Sequence, residues 1–104
     1  MPKRQLLQIG PLEIDRAAYR VTRAGRELSL SIKEFALLDY LAQYRGEAIS
    51  RATILRAVFG YATESVSNVV DVHISSLRQK IDAPGEPSLI GTVRGVGYRL
   101  DPRG

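Results

Sequence analysis

The chain has no cysteine and a single histidine among its 104 residues. The first absence removes disulfides, thiolate metal sites and cysteine nucleophiles together. It is compatible with a reducing cytoplasm without requiring one. A lone histidine argues against a histidine-based metal site inside the chain. No apolar run reaches the ~18 residues of a membrane span, and no signal-peptide pattern is visible. Runs of like charge are missing too. Lysine and arginine outnumber aspartate and glutamate by 15 to 11, giving a formal charge of +4, yet the basic residues stand singly and not in the block of a disordered nucleic-acid tail. This balance permits attraction to a polyanion, but folding has to assemble any basic patch. There is no nucleophile–base pair in a recognisable setting, no glycine-rich phosphate loop between a strand and a helix, and no cluster of metal ligands. Neither an enzyme nor a cofactor is expected.

What is present suits one small domain: 44% hydrophobic and 25% charged residues, in a chain long enough for one core. Residues 1–5 are expected as a linker or disordered start, and 6–102 as the domain. Over 6–30, short apolar–polar alternations predict about four antiparallel strands with one buried face: Leu7 and Ile9, Leu12 and Ile14, Tyr19 and Val21, Leu28 and Leu30. Gly10-Pro11 and Ala24-Gly25 mark turns between them. Residues 31–82 predict three helices. Ser31 can cap the first, with Glu34 as its capping-box partner, and Phe35, Leu38 and Leu41 face inward with Leu37 and Ala42 beside them. Ser50 caps a shorter second helix with Ile54, Leu55, Val58 and Phe59 inward, stopped by Gly60. After a loop at 60–64, a long helix runs from Val66 to Ile81. Two strands at 89–93 and 98–100 close the chain around Arg94-Gly95-Val96-Gly97, where two glycines predict positive φ and a tight hairpin.

The long helix is the centre of this layout. At about 100° per residue, Val66, Val70, His73, Ile74, Leu77 and Ile81 share one side. The opposite side carries Asn68, Val72, Ser75, Ser76 and Gln79, flanked by Arg78 and Lys80. A solvated face normally carries charge; one of short uncharged groups is suited to pressing on a partner, or else on a second packing surface of the same domain. Helix, loop, long helix and hairpin with an arginine at its tip together describe a winged helix-turn-helix. An α-helix ~10–12 Å across enters a major groove ~12 Å wide, and an arginine beside it suits a narrow minor groove.

Three stretches carry a family resemblance: Leu30-Ser31 through Glu34-Phe35-Ala36-Leu37-Leu38; Val70-Asp71-Val72-His73-Ile74 leading to Leu77-Arg78; and Thr92-Val93-Arg94-Gly95-Val96-Gly97-Tyr98-Arg99-Leu100. They resemble the DNA-binding effector domain of OmpR/PhoB-type bacterial response regulators. The resemblance implies an α+β winged helix-turn-helix with an N-terminal four-stranded antiparallel sheet, three helices and a C-terminal β-hairpin wing over 89–100. It also implies binding to double-stranded DNA as dimers on tandem direct repeats, and a receiver domain, absent here, on which a cognate sensor histidine kinase acts. RNA polymerase would meet the loop of Gly60, Tyr61, Ala62, Thr63 and Glu64. The resemblance implies no membrane partner and a cytoplasmic location. Phe59 stands where the family usually has tryptophan. Asn68-Val69 replaces a frequent Arg-Thr, and Ser76 replaces a frequent arginine, so base readout differs from that of the best-known members.

Each candidate contact has an alternative. Val72 can touch a thymine methyl or be a tolerated surface valine. Asn68, Ser75, Ser76 and Gln79 can reach base edges or phosphates. Arg78 can contact DNA or pair with Asp71 or Glu64. His73 suits packing or a phosphate. Thr92 and Tyr98 match phosphate-binding positions of the family wing, with strand packing as the alternative. Arg51 can touch backbone beside a helix N-terminus or make a structural ion pair. Arg94 is a groove or phosphate probe or a solvated charge. A winged helix can also bind protein with the same surface. A DNA module is expected to gather Arg51, Arg78, Lys80, Arg94 and Arg99 on one face.

Overall fold

The computed structural model describes residues 6–60 and 68–101. The expected linker at 1–5, the residues of the loop after Gly60, the first two residues of the expected long helix, Val66 and Ser67, and the last residue of the expected domain lie outside them.

The chain opens with a four-stranded antiparallel meander, β1 (Leu6–Ile9), β2 (Leu12–Asp15), β3 (Arg20–Arg23) and β4 (Arg26–Leu28), paired in that order. Leu7, Ile14, Val21 and Leu28 stand in one row across it, which gives the sheet its apolar face. Gly10, Ala24 and Gly25 turn with positive φ, as two-residue hairpins require. Tyr19 departs from the expected alternation. It precedes β3 with φ 54°, is 70% exposed, and lays its ring against Phe35 at 5.0 Å. The inward partner of Val21 is instead Arg23, buried with its charge. Period two puts residue 23 there whatever its type.

Helix α1 (Ile32–Gln43) begins with the expected capping box: the Glu34 N–H donates to Ser31 Oγ and the Ser31 N–H to Glu34 Oε1. Phe35, Leu37, Leu38, Leu41 and Ala42 are buried. Next come a two-residue strand β5 (Ile49–Ser50), which the sequence does not announce, and helix α2 (Arg51–Ile54), capped by Ser50 Oγ on the Thr53 N–H. The second helix is α-helical for one turn only. It widens into a π-helical turn over Leu55–Phe59 and stops at Gly60, φ 77°. Ile54 and Leu55 are buried, whereas Val58 and Phe59 pack half-buried against the core.

Helix α3 is described over Asn68–Ile81, with Val70, Ile74, Leu77 and Ile81 buried. Strands β6 (Ile90–Val93) and β7 (Gly97–Leu100) form the wing hairpin, and β5 pairs with β7 to give the order β5-β7-β6. Only one of the two wing glycines has the expected positive φ, Gly95 at 78°. Gly97 serves close approach: a Cβ there would lie 2.0 Å from the Ile49 carbonyl oxygen. One core joins both sheets and all three helices, from Ile9 through Leu38 and Ile74 to Leu100.

The sheet does more than support. Arg23 Nη1 donates to Asp82 Oδ1 at 2.6 Å and to the Ile81 carbonyl at 3.4 Å, and Nη2 donates to the Pro87 carbonyl at 2.9 Å. Arg26 Nη2 donates to the Ile81 carbonyl at 2.8 Å, and Arg26 also pairs with Glu86. Two cations on the β3–β4 hairpin therefore satisfy the carbonyl end of α3, where the helix dipole favours positive charge. Arg26 holds Glu86 at a pKa of about 2, helped by the Ala83 N–H.

Candidate nucleic-acid interface

The outward face of α3 carries Asn68, Val72, Ser75 and Gln79, all exposed, opposite the buried stripe. Val72 is 59% exposed. The face has no charge of its own. The expected candidates behind it divide into three groups.

The first group is engaged with the protein itself. Ser76 donates from Oγ to Glu34 Oε2 at 2.5 Å, and Lys80 donates from Nζ to Glu34 Oε1 at 2.6 Å. Neither belongs to the open face; both brace α3 against the start of α1. Burial would push the Glu34 carboxyl up, but hydrogen bonds from Lys80, Ser76 and the Ser31 N–H outweigh it and hold the pKa at about 2. His73 also serves the helix. Its Nδ1 donates to the Val69 carbonyl at 2.9 Å, and its ring meets Phe59 edge-on at 4.7 Å.

The second group joins α3 to the wing. Arg78 does not take Asp71, and Glu64 lies outside the described residues. Its Nε and Nη2 donate to the Ile90 carbonyl at 3.0 and 2.7 Å, and Nη2 donates to Thr92 Oγ1 at 2.9 Å. Thr92 is opposite Tyr98 in the hairpin register. Tyr98 is buried, and its hydroxyl donates to Asp71 Oδ1. The same oxygen accepts from Arg51 Nε at 2.7 Å, the ion-pair alternative for that arginine. The Arg51 and Arg78 guanidiniums sit 5.0 and 5.5 Å from the centroid of the Tyr98 ring, a cation–π arrangement. Burial raises the Tyr98 pKa, and the bond to Asp71 raises it further. Burial alone would raise the Asp71 pKa, but bonds from Tyr98 and Arg51 lower it. Hydrogen bonding to Asp71 raises that of Arg51.

The third group is the wing tip. Arg94 is exposed at the hairpin turn and makes no side-chain hydrogen bond or ion pair with a described residue. Val96 beside it is 46% exposed, a residue that sequence reasoning left out although its place in the turn predicts exposure. The expected gathering of five cations is therefore partial. Arg51 and Arg78 meet on Tyr98, whereas Lys80 is turned to Glu34. Arg99 alternates to the face of β7 opposite Tyr98. Asp71 enters the site as the acid that holds it together. The residues Tyr61, Ala62, Thr63 and Glu64 of the expected polymerase loop are outside the described residues; Gly60 is exposed at the end of the π-helical turn.

Comparison with known proteins places this architecture. The family model described as "Transcriptional regulatory protein, C terminal" matches residues 25–100. The transcriptional regulatory protein CusR of Escherichia coli K12 is 42% identical over 94 residues, 90% of this chain and 41% of its own. The transcriptional regulatory protein TrcR of Mycobacterium tuberculosis is 45% identical over 101 residues, 97% of this chain and 39% of its own. The chain thus spans about two fifths of the length of these relatives. Among solved structures, the Klebsiella pneumoniae RstA DNA-binding domain in complex with the RstA box superposes with a TM-score of 0.85 at 34% identity, covering 94% of this chain and 98% of that one. On the family model and on that near-complete match, the chain belongs to the transcriptional regulatory protein C-terminal family, the OmpR/PhoB-type effector domains whose motifs it carries.

Proposed function

We propose that this domain binds double-stranded DNA in a sequence-specific way and regulates transcription as the output domain of a two-component response regulator. The observation that carries this is the uncharged, exposed face of α3 beside a hairpin whose arginine pairs with no described residue, in a fold matching a domain solved with its DNA box. Helix α3 enters the major groove with Asn68, Val72, Ser75 and Gln79 towards the bases. Arg51, Arg78, Thr92 and Tyr98 line the phosphate side, and Arg94 reaches the minor groove or backbone. Ser76 and His73 act by holding α3 in place.

The role is regulatory and not enzymatic, as the names of the relatives support. The finer picture follows the family: a receiver domain in the same protein, phosphorylated through a sensor histidine kinase; tandem direct repeats as the target; RNA polymerase met by the loop at 60–64; and a cytoplasmic location. No described helix is long and apolar enough to cross a membrane.

Selection from random duplex DNA tests the central statement. A consensus recovered over successive rounds, bound more tightly than a scrambled duplex at the same salt, is the expected result. Recovery of no consensus, with the domain folded, would leave protein recognition as the use of this surface.

A further inference from the structure

A carboxylate on the DNA side of a DNA-binding helix opposes binding unless it does something else. Asp71 lies one helical turn from both Asn68 and Ser75, on the flank of the proposed base-reading face. Its side chain is 45% exposed, and that of its partner Arg51 is 41% exposed. One carboxylate oxygen takes both the Arg51 Nε–H and the Tyr98 O–H, and the carboxylate remains open to solvent. The two guanidiniums over Tyr98 carry two positive charges. Among the described residues Asp71 supplies the negative charge set against them, since Arg78 donates there to neutral oxygens.

We infer that Asp71 is a specificity-determining residue: it holds Arg51 in check, so that phosphate gains this cation only when the duplex is docked in register. The inference rests on the DNA-binding function proposed above. A phosphate that meets the outer edge of the Arg51 guanidinium is attracted, and one displaced by a few ångströms meets the carboxylate. The attraction is therefore steep in position. Loosely held, non-specific DNA, whose affinity comes almost wholly from backbone charge, loses the most. Specific DNA, held in place by base contacts, loses least. Negative elements that penalise the wrong complex are a general route to specificity.

Asp71→Asn removes the charge and keeps an acceptor for Arg51 and Tyr98. Affinity for scrambled duplex is expected to rise about fivefold, the size of one charge interaction about 4 Å long in a water-like dielectric. The slope of log affinity against log salt should steepen by about one on that duplex. Affinity for the selected sequence should rise less, so the ratio of specific to non-specific binding falls. Asp71→Glu, which keeps the charge, should keep non-specific binding low. Equal losses on both duplexes in the Asn variant would mean that Asp71 only holds the wing, and would overturn the inference; so would unchanged binding on both. If the Asn variant melts early, Asp71→Ser repeats the measurement, with the same outcomes deciding it. Failure of the underlying function is separately visible, because the wild-type chain would then show no preference between the two duplexes.

Discussion

Arg94 and Gly97 stand three residues apart on one hairpin and should fail in opposite ways. Arg94 is exposed and pairs with no described residue, so Arg94→Ala should leave the melting temperature unchanged and weaken DNA binding by about 1–3 kcal/mol. A phosphate contact would lower the salt slope by about one on all sequences, and a minor-groove contact would be felt most with A·T-rich flanks. Unchanged affinity on both flanks removes Arg94 from the interface. Gly97→Ala drives a methyl into the Ile49 carbonyl, parting β5 from β7, and should destabilise the domain by about 2–4 kcal/mol in a urea titration. The sequence made both residues conspicuous but assigned Gly97 the wrong reason, because a close approach by a strand 47 residues away leaves no local trace. The same limit applies to Ser76, Arg78 and Tyr98. Their positions follow from helical and strand periods, whereas their partners, Glu34, Ile90 and Asp71, come from tertiary packing that periodicity does not encode.

Among the elements, α3 is held over its C-terminal half by groups outside it. Glu34, 5% exposed on its side chain, joins the α1 cap to Ser76 and Lys80. Its pKa is lowered from an ordinary 4.5 to about 2. A depressed carboxyl stabilises the fold fully above its unfolded value and loses that contribution as pH falls through the folded one. Acid should therefore cost up to about 3 kcal/mol between pH 5 and 2. Glu34→Gln can keep the cap bond but not the titration. Its stability, measured by denaturant at each pH, should fall less steeply over this window; a parallel fall would clear Glu34 of any part in it. Glu86 titrates in the same range in both proteins, so the difference isolates Glu34. Just past Ser76 and Lys80, Arg23→Ala strands Asp82 and the Pro87 carbonyl and leaves the Ile81 carbonyl to Arg26 alone, and should cost about 3 kcal/mol. The strands, α1 with its cap, and the inward stripe of α3 were legible from period and capping chemistry. A two-residue strand and a π-turn were not, since neither is long enough to show a period. Arg23 was missed because a charge at an inward position looks like an outward one until its partners are known.

For the whole molecule, the proposed tandem target makes cooperativity measurable. Two copies should bind a correctly spaced pair of half-sites more tightly than two isolated half-sites allow, and equal affinities would withdraw the tandem arrangement. Glu64→Lys should reduce transcription more than DNA binding if that loop meets polymerase, and equal losses in both assays would argue against it. The bridge from Arg78 to the Ile90 carbonyl and Thr92, together with that from Asp71 to Tyr98, has a further consequence. Helix and wing become the two jaws of a caliper whose gap is set before any duplex arrives. A duplex gripped by both jaws has to match that gap, and one that does not must deform. The domain should therefore discriminate by stiffness as well as by letters. Among targets with identical contacted bases, flexible pyrimidine–purine steps between the jaws should bind differently from stiff A-tracts, and loosening the hinge with Arg78→Ala should narrow that difference.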